Sequence, residues 1–239
     1  MTPICDVYRL GRVGYDAALT LQARLVAERS AGSAPDRLLL LEHPHTYTQG
    51  SSAKPEHLLL MPDECAARGI QVIGVDRGGG ITYHGPGQLV GYPIIALPRE
   101  GTELRTDFVG YLRRLETVLI GVLADYGLRG KVIPGLTGVW VDTPAGEAKI
   151  AAIGVRINVR AVTKHGFALN VDPDMRLFEG IVPCGIDDKA VVSLAALLGQ
   201  PPSMDEVADR VSAHFAAVFG YTLRPADPAE LNPVTHSEQ

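Results

Sequence analysis

The stretch Arg77–Gln88 reads RGGGITYHGPGQ and is the most unusual segment of the 239-residue chain. Glycine costs backbone entropy in helices and strands, but it permits positive φ angles and a close approach of ligand to backbone. The exposed amides of such a segment can bind an anion or a carbonyl oxygen, with Arg77 and His84 adding charge and hydrogen bonds. A hairpin with a glycine-rich turn between two strands is the alternative interpretation.

Two familiar nucleotide-binding loops do not fit this segment. The Gly-Lys-Ser/Thr ending of a Walker phosphate loop is missing. Gly78 and Gly80 could begin a GxGxxG dinucleotide fingerprint, but Tyr83 stands where the third glycine belongs and no helix pattern follows.

The composition is that of a globular protein, with 46% hydrophobic and 21% charged residues. The formal net charge of -5 gives no basic field for DNA or RNA. The three cysteines have no CxxC spacing, which favours free thiols in a reducing compartment over disulfides or a cysteine-rich zinc site. Residues 1–8 lack a signal-peptide pattern, and no apolar run approaches the roughly 20 residues that cross a bilayer. We therefore expect a cytoplasmic protein without a membrane segment.

Hydrophobic periodicity predicts an α+β fold, a mixed β-sheet flanked by helices. Helices are predicted over residues 16–30, 106–126 and 193–198, and from Ser203 onward, where Glu206 completes a capping box. Strands are predicted over residues 37–42, 70–75, 138–141, 149–159 and 167–171, and residues 90–97 form another apolar segment. Residues 43–52 read as a polar loop. We expect a single catalytic domain over residues 1–223 and a loose tail over residues 224–239.

Two residues are candidates for nucleophilic and acid-base chemistry. Cys184 lies between Pro183 and Gly185, which predicts a turn, and a cysteine attacks as the thiolate. Lys149 opens an apolar strand, where partial desolvation would suit it to acid-base work. The alternatives are a small buried side chain for Cys184 and a surface lysine for Lys149.

Three histidines are weaker candidates. His43 and His45 form an HxH pair that could share one face of a strand and bind a metal. No further ligand is spaced nearby and Pro44 disturbs the strand, so we expect no metal site. His165 is either a ligand-contacting residue or a turn residue before a strand.

Together these segments resemble the lipoyl(octanoyl) transferase family of the biotin and lipoate protein ligase superfamily. The family signature RGGxxTxHxxGQ is matched at Arg77, Gly78, Gly79, Thr82, His84, Gly87 and Gln88, with Tyr92 also in place. The resemblance continues through residues 42–50, Lys149 with Ile153-Gly154, His165-Gly166 and Pro183-Cys184-Gly185. It spans roughly residues 7 to 220, and it implies the α+β ligase-like catalytic fold with a core over about residues 31–220.

The resemblance implies specific roles. Cys184 corresponds to the acyl-accepting nucleophile, and Lys149 corresponds to the lysine that favours the thiolate and handles protons. The residues implied to line the acyl pocket are Arg77, Gly78, Gly79, Gly80, Ile81, Thr82, Tyr83, His84, Ala152, Ile153, Gly154, His165, Gly166 and Phe167. The oxyanion donors are expected among backbone amides of the glycine-rich segment or next to Cys184.

The implied reaction moves an octanoyl group from octanoyl-acyl carrier protein to a lysine of a lipoyl domain, as a step of protein lipoylation. The implied acceptors are the lipoyl domains of 2-oxoacid dehydrogenases and the glycine cleavage H protein. The donor is already a thioester, so neither ATP nor a cofactor is required. The alternatives are an ATP-dependent lipoate or biotin protein ligase, which needs no nucleophilic cysteine, and a non-catalytic acyl-binding module.

Overall fold

The computed structural model describes residues 2–98, 106–182 and 189–231. Its strands are β1 Ile4–Arg12, β2 Asp36–Glu42, β3 Thr46–Gln49, β4 Gln71–Gly74, β5 Ile81–His84, β6 Gln88–Ile94, β7 Lys131–Ile133, β8 Leu136–Thr143, β9 Gly146–Ile157, β10 Thr163–Asn170, β11 Ala190–Val191 and β12 Thr222–Pro225. Its α-helices are α1 Tyr15–Ser30, α2 Pro62–Ala67, α3 Phe108–Asp125, α4 Leu194–Leu198 and α5 Met204–Phe219. Short 3₁₀ helices include Pro55–His57, Met175–Gly180 and Pro228–Leu231.

The strands form one large sheet and one small sheet. The large sheet has the order β12-β1-β2-β6-β10-β9-β8-β7, with β11 added beside β9. Its β12–β1, β1–β2 and β11–β9 pairs are parallel and its other pairs are antiparallel. The small sheet has the order β4-β3-β5. The predicted mixed sheet with flanking helices is confirmed.

Helices cover both faces of the large sheet. Alternate leucines of β2 explain this, because successive strand residues point to opposite faces. Leu38 and Leu40 pack in the cluster with α3 and α5, whereas Leu39 and Leu41 pack in the cluster with α1. The run of four leucines is therefore a strand that is buried on both sides, as its composition predicts.

The long helices α3 and α5 begin at side-chain caps. The Asp107 carboxylate accepts a hydrogen bond from the Gly110 amide at the start of α3, and the Ser203 hydroxyl accepts one from the Glu206 amide at the start of α5. α5 is followed by Gly220 with φ +73°, the left-handed conformation that ends many helices. None of the described helices has both the length and the apolar character needed to cross a bilayer.

The structure corrects two predictions of irregular backbone. The predicted loop 43–52 contains β3, which pairs with β4 and β5 and buries Tyr47. The predicted loose tail is wrong for its described part, because β12 pairs with β1 and Leu231 is buried. Arg224 also forms an ion pair with the buried Asp6 carboxylate at 2.7 Å. The rest of the predicted tail, residues 232–239, lies outside the described residues.

Candidate active site

Small side chains on two neighbouring strands form the floor of a cavity. Ala152 of β9 lies opposite Ala168 of β10, and Gly154 lies opposite Gly166. Directly opposed residues share one face of a sheet, and the two alanines carry only a methyl group there. A Cβ atom on Gly154 would lie 3.0 Å from the Gly78 carbonyl oxygen, and one on Gly166 would clash with the Gly91 carbonyl, so these two glycines allow neighbouring backbone to approach closely. The small alanine side chains therefore leave space above the floor, and the glycines bring the surrounding backbone close to it.

The glycine-rich segment and β10 supply the other walls. Of the pocket residues implied by the resemblance, this cavity gathers Arg77, Gly78, Gly79, Thr82, His84, Ala152, Ile153, Gly154, His165, Gly166 and Phe167. Gly80 lines a neighbouring cavity instead.

Ile81 and Tyr83 do not line the cavity, which corrects the expectation for these two residues. They alternate with Thr82 and His84 along β5 and so point to the opposite side. Both pack in a separate apolar cluster behind the small sheet, where the Tyr83 and Phe178 ring centroids are 5.1 Å apart.

Arg77 holds the glycine-rich segment in place. Its buried guanidinium donates hydrogen bonds to the carbonyl of Gly80 at 2.9 Å and to the carbonyl and hydroxyl of Thr48, each at 2.7 Å. The Gly78 amide donates to the Val155 carbonyl at 3.0 Å. Since that amide is engaged, it is not available to an oxyanion, and Gly79 and Gly80 are the better candidates in this segment.

Lys149 reaches the site because β9 contains a bulge. Lys149 pairs with Trp140 and Ala151 pairs with Val139, so Ile150 is an extra residue. Val139 packs in the core beneath α3 and α5, and Trp140, the next residue along β8, points to the other face. The extra residue therefore places Lys149 on the same face as Ala152.

The Lys149 side chain is buried and lines the neighbouring cavity, with Phe108 and Leu112 of α3. The ammonium nitrogen lies 4.7 Å from the centroid of the Trp140 ring. The prediction of a desolvated lysine is met, and the alternative of a surface lysine is wrong. Five wall residues belong to both cavities: Gly78, Gly79, Ala152, Ile153 and Gly154.

A chain of buried amides fixes the hydrogen-bonding state of His84. Nδ1 of His84 lies 2.8 Å from Oε1 of Gln88, Nε2 of Gln88 donates to Oδ1 of Asn170 at 2.8 Å, and Nδ2 of Asn170 donates to the Val192 carbonyl at 3.1 Å. A carbonyl only accepts, so each amide in the chain has one orientation. Nδ1 of His84 therefore carries the proton and Nε2 is an acceptor. Burial, first of all, holds the pKa of His84 well below its ordinary value, so the ring is neutral.

His165 has the opposite tautomer. Its Nε2 lies 2.6 Å from a carboxylate oxygen of Asp76, which can only accept, so Nε2 carries the proton. The backbone of His165 has φ +60°, and its amide donates to Oε1 of Gln22 at 2.8 Å. Burial lowers the pKa of His165 to about 4, against the opposing effect of Asp76. Its Nδ1 is buried and has no hydrogen-bond partner among residues 2–98, 106–182 and 189–231.

His43 is a structural histidine. Its Nδ1 donates to the Val13 carbonyl at 2.7 Å, and its Nε2 accepts from the Tyr92 hydroxyl at 2.7 Å. His45 lies 2.8 Å from the hydroxyl of Tyr83 instead of facing His43. Within the described parts of the chain, no group of three His, Cys, Asp or Glu side chains is arranged to hold a metal ion.

Cys184 lies in residues 183–188, outside the described residues. Where the description resumes, Val191 is the register partner of Lys149, and the Val192 amide donates to the Lys149 carbonyl at 3.0 Å. The described cysteines, Cys5 and Cys65, are buried. Burial raises the pKa of both thiols, so neither is suited to attack as a thiolate.

Sequence reasoning missed several residues around the cavity. Tyr15 lines it from the start of α1, and Asp76 and Gln22 hold His165. These residues are distant in sequence from the segments that they contact, and no local motif marks them. Asn170 did carry a signal, since an amide within an apolar strand requires a buried partner.

The comparisons with known proteins agree with this geometry. The profile of the lipoyl protein ligase A/B catalytic domain matches residues 14–216. An octanoyltransferase of Chloroflexus aggregans is 53% identical over 221 residues, which cover 92% of this chain and 96% of the relative. An octanoyltransferase of Mycobacterium avium is 50% identical over 87% of this chain and 84% of the relative.

The fold has solved counterparts as well. The bi-partite lipoate protein ligase of an archaeal lipoylation system, from Thermoplasma acidophilum, superposes with a TM-score of 0.71 at 17% identity, covering 97% of this chain and 89% of that one. At this identity the likeness concerns the fold alone. On the extent of the sequence matches, the chain belongs to the octanoyltransferase family, within the lipoyl protein ligase A/B catalytic domain family.

Proposed function

We propose that this chain transfers an octanoyl group from octanoyl-acyl carrier protein to one lysine of a lipoyl domain, through a thioester on Cys184. The observation that carries the proposal is the buried Lys149 ammonium in a cavity that shares five wall residues with a second, narrow cavity. Membership of the octanoyltransferase family makes the chain an acyltransferase. We place its activity in the cytoplasm, within one catalytic domain.

The first half of the reaction forms the acyl-enzyme. The Cys184 thiolate attacks the thioester carbonyl of the donor, and the tetrahedral oxyanion takes hydrogen bonds from backbone amides. The carbon–sulfur bond to pantetheine then breaks, and the pantetheine thiolate takes a proton from Lys149, which leaves Lys149 neutral for the second half. Lys149 supplies a positive charge that favours thiolate in an otherwise apolar compartment.

The second half regenerates the enzyme. The acceptor lysine must be neutral to attack the Cys184 thioester, and it loses a proton as the amide forms. Lys149 is our choice for the group that takes this proton, since a neutral lysine can act as a base and its cavity adjoins the acyl cavity. The Cys184 thiolate is the leaving group, so the cycle closes without ATP or a redox cofactor.

The octanoyl chain would extend from the Lys149 compartment across the shared walls and over the small residues of the floor. Each methylene group transferred from water to such a surface contributes about 0.8 kcal/mol. Family membership supports lipoyl domains as acceptors, and the ligase of the archaeal lipoylation system likewise has an E2 lipoyl domain as its partner. We propose the lipoyl domains of 2-oxoacid dehydrogenases and the glycine cleavage H protein as the acceptors of this chain.

Intact mass spectrometry tests the proposal. Mixing the protein with octanoyl-acyl carrier protein, without an acceptor, should add the mass of one octanoyl group, and peptide mapping should place it on Cys184. The Cys184→Ser variant should form no thioester adduct, whereas the Cys65→Ser variant should still form it. An adduct on another residue, or none, would contradict the proposal. Full turnover of Cys184→Ser with ATP and free octanoate would instead indicate a ligase.

A further inference from the structure

The cavity over the small-residue floor has a polar end away from Lys149. Tyr15, His84 and His165 line this cavity, whereas they do not line the compartment that contains Lys149. The five wall residues that the two cavities share lie between Lys149 and these three polar side chains. An acyl chain that starts beside Lys149 and crosses these walls therefore brings its far end toward the two imidazoles and the phenol.

This end of the cavity offers two imidazole acceptors and the Tyr15 hydroxyl, and the side chains of Arg77 and Thr82 line the same cavity. The chain of amides leaves Nε2 of His84 as an acceptor, and the described residues donate no hydrogen bond to it. Nδ1 of His165 is an acceptor, buried and without a described partner. Burial raises the pKa of Tyr15 against the opposing effects of Arg77, Tyr92 and Thr48, so its hydroxyl remains protonated. The rings of Tyr15 and His84 are stacked, with centroids 5.6 Å apart.

We infer that Tyr15, His84 and His165 form a polar cap that recognises the end of the acyl chain and accepts a terminal hydroxyl group there. The inference rests on the proposed function, since it takes this cavity to be the acyl site. Its ligand class is a medium-chain acyl thioester with a hydroxyl on the terminal carbon. Octanoyl is then accepted because its methyl group stops short of the cap.

The reason is the cost of leaving buried acceptors unpaired. A methyl group pushed against the two imidazoles excludes water and offers them no proton. A hydroxyl group in the same place donates a hydrogen bond to one imidazole and accepts one from the Tyr15 phenol. These two hydrogen bonds satisfy a buried hydroxyl group. The length of an unsubstituted acyl chain is thus limited by the polarity of the cap as well as by the volume of the cavity.

A terminal carboxylate does not fit the same cap. Both imidazoles present lone pairs, and burial keeps both rings neutral. The nearest guanidinium, that of Arg77, is buried, and its two terminal nitrogens donate to the backbone carbonyls of Thr48, Gly78 and Gly80. The arrangement therefore selects a neutral group that can both donate and accept.

Calorimetric titration with pantetheine thioethers tests the cap. The probes are pairs of equal heavy-atom count, such as nonyl with 8-hydroxyoctyl, prepared at successive chain lengths from seven to ten heavy atoms. We expect the hydroxyl member to bind at least about tenfold more tightly at the length that reaches the cap, because sites built for a hydroxyl discriminate strongly against analogues without one. In Tyr15→Phe this preference should fall at least about threefold.

Tyr8→Phe is the matched control, since Tyr8 is an equally buried phenol that does not line the cavity, and it should keep the full preference. Methyl members that bind as tightly as their hydroxyl partners at every length, an unchanged preference in Tyr15→Phe, or no binding by any probe would each overturn the inference. Thioethers cannot acylate the enzyme. A failure of the Cys184 thioester would therefore show in the mass experiment and leave these affinities unaffected.

Discussion

The Lys149 ammonium nitrogen lies 4.7 Å from the centroid of the Trp140 ring, on the face of β9 that also carries Ala152 and Gly154. A regular strand would send Lys149 and Ala152, three positions apart, to opposite faces. The extra residue at Ile150 removes that difference. The bulge is thus the local feature that brings a cation and the floor of the cavity together.

Replacing Lys149 tests its chemical role separately from its packing. We expect Lys149→Met to lower octanoyl transfer to a lipoyl domain at least about 100-fold, because a positioned acid-base group contributes about that much or more. Binding of an octyl pantetheine thioether should change little, since methionine retains the apolar stem. Lys131→Met is the control, because Lys131 forms its ion pairs with Asp142 and Glu147 on the surface. A Lys149→Met variant with half the original rate would contradict the assignment.

The sequence predicts most of the elements because their signals are local. The cap at Ser203 and the alternating leucines of β2 are read within a few residues, and the structure confirms both. β12 could not be found in this way, since its pairing with β1 joins opposite ends of the chain. The prediction that Ile81 and Tyr83 line the pocket was wrong for a different reason. The motif identifies a continuous segment, but alternate side chains of a strand point to opposite sides of the sheet.

The tautomers of the cavity histidines are a second prediction. At pH 7, His84 should be neutral with its proton on Nδ1, and His165 should be neutral with its proton on Nε2. Long-range proton–nitrogen correlation spectra distinguish the two forms directly. His43 is an internal reference and should resemble His84, since its Nδ1 donates to a backbone carbonyl. If His84 and His165 show the same tautomer, or if either is cationic at pH 7, the amide chain does not have the orientation described.

Gly91 provides a prediction about packing under the cavity. A Cβ atom on Gly91 would lie 2.1 Å from the Phe167 ring, which cannot be accommodated without displacing the ring. We expect Gly91→Ala to lower the free energy of unfolding by about 1–3 kcal/mol, the usual cost of overpacking a core, and to weaken binding of the octyl thioether. Gly74→Ala is the control, since a Cβ there meets nothing within 4 Å. Urea unfolding measures both, and equal stabilities of the two variants would refute the close contact.

The buried histidines also predict how stability depends on pH. Burial lowers the pKa of His43 from its ordinary value of 6.5 to about 4, the hydrogen bond to the Val13 carbonyl opposing the shift. Below pH 6.5 the unfolded chain therefore binds a proton that the folded chain does not, so the free energy of unfolding falls as the pH falls. Above pH 7 this group makes no pH-dependent contribution. His165 shifts in the same direction and adds to the slope.

We expect each of these two histidines to remove about 2 kcal/mol of stability between pH 7.5 and pH 5, at about 1.4 kcal/mol for each pKa unit. Urea unfolding at these two pH values measures the loss. His43→Gln should start from a lower stability, because Gln cannot reproduce both hydrogen bonds, but it should lose about 2 kcal/mol less on acidification. His214→Gln, at a half-buried histidine that contacts Asp125 at the end of α3, should retain the full loss. If the free energy of unfolding is constant from pH 7.5 to 5, or rises toward acid, His43 is protonated inside the folded protein. The assignment of a neutral His43 ring that accepts a hydrogen bond from Tyr92 would then be wrong.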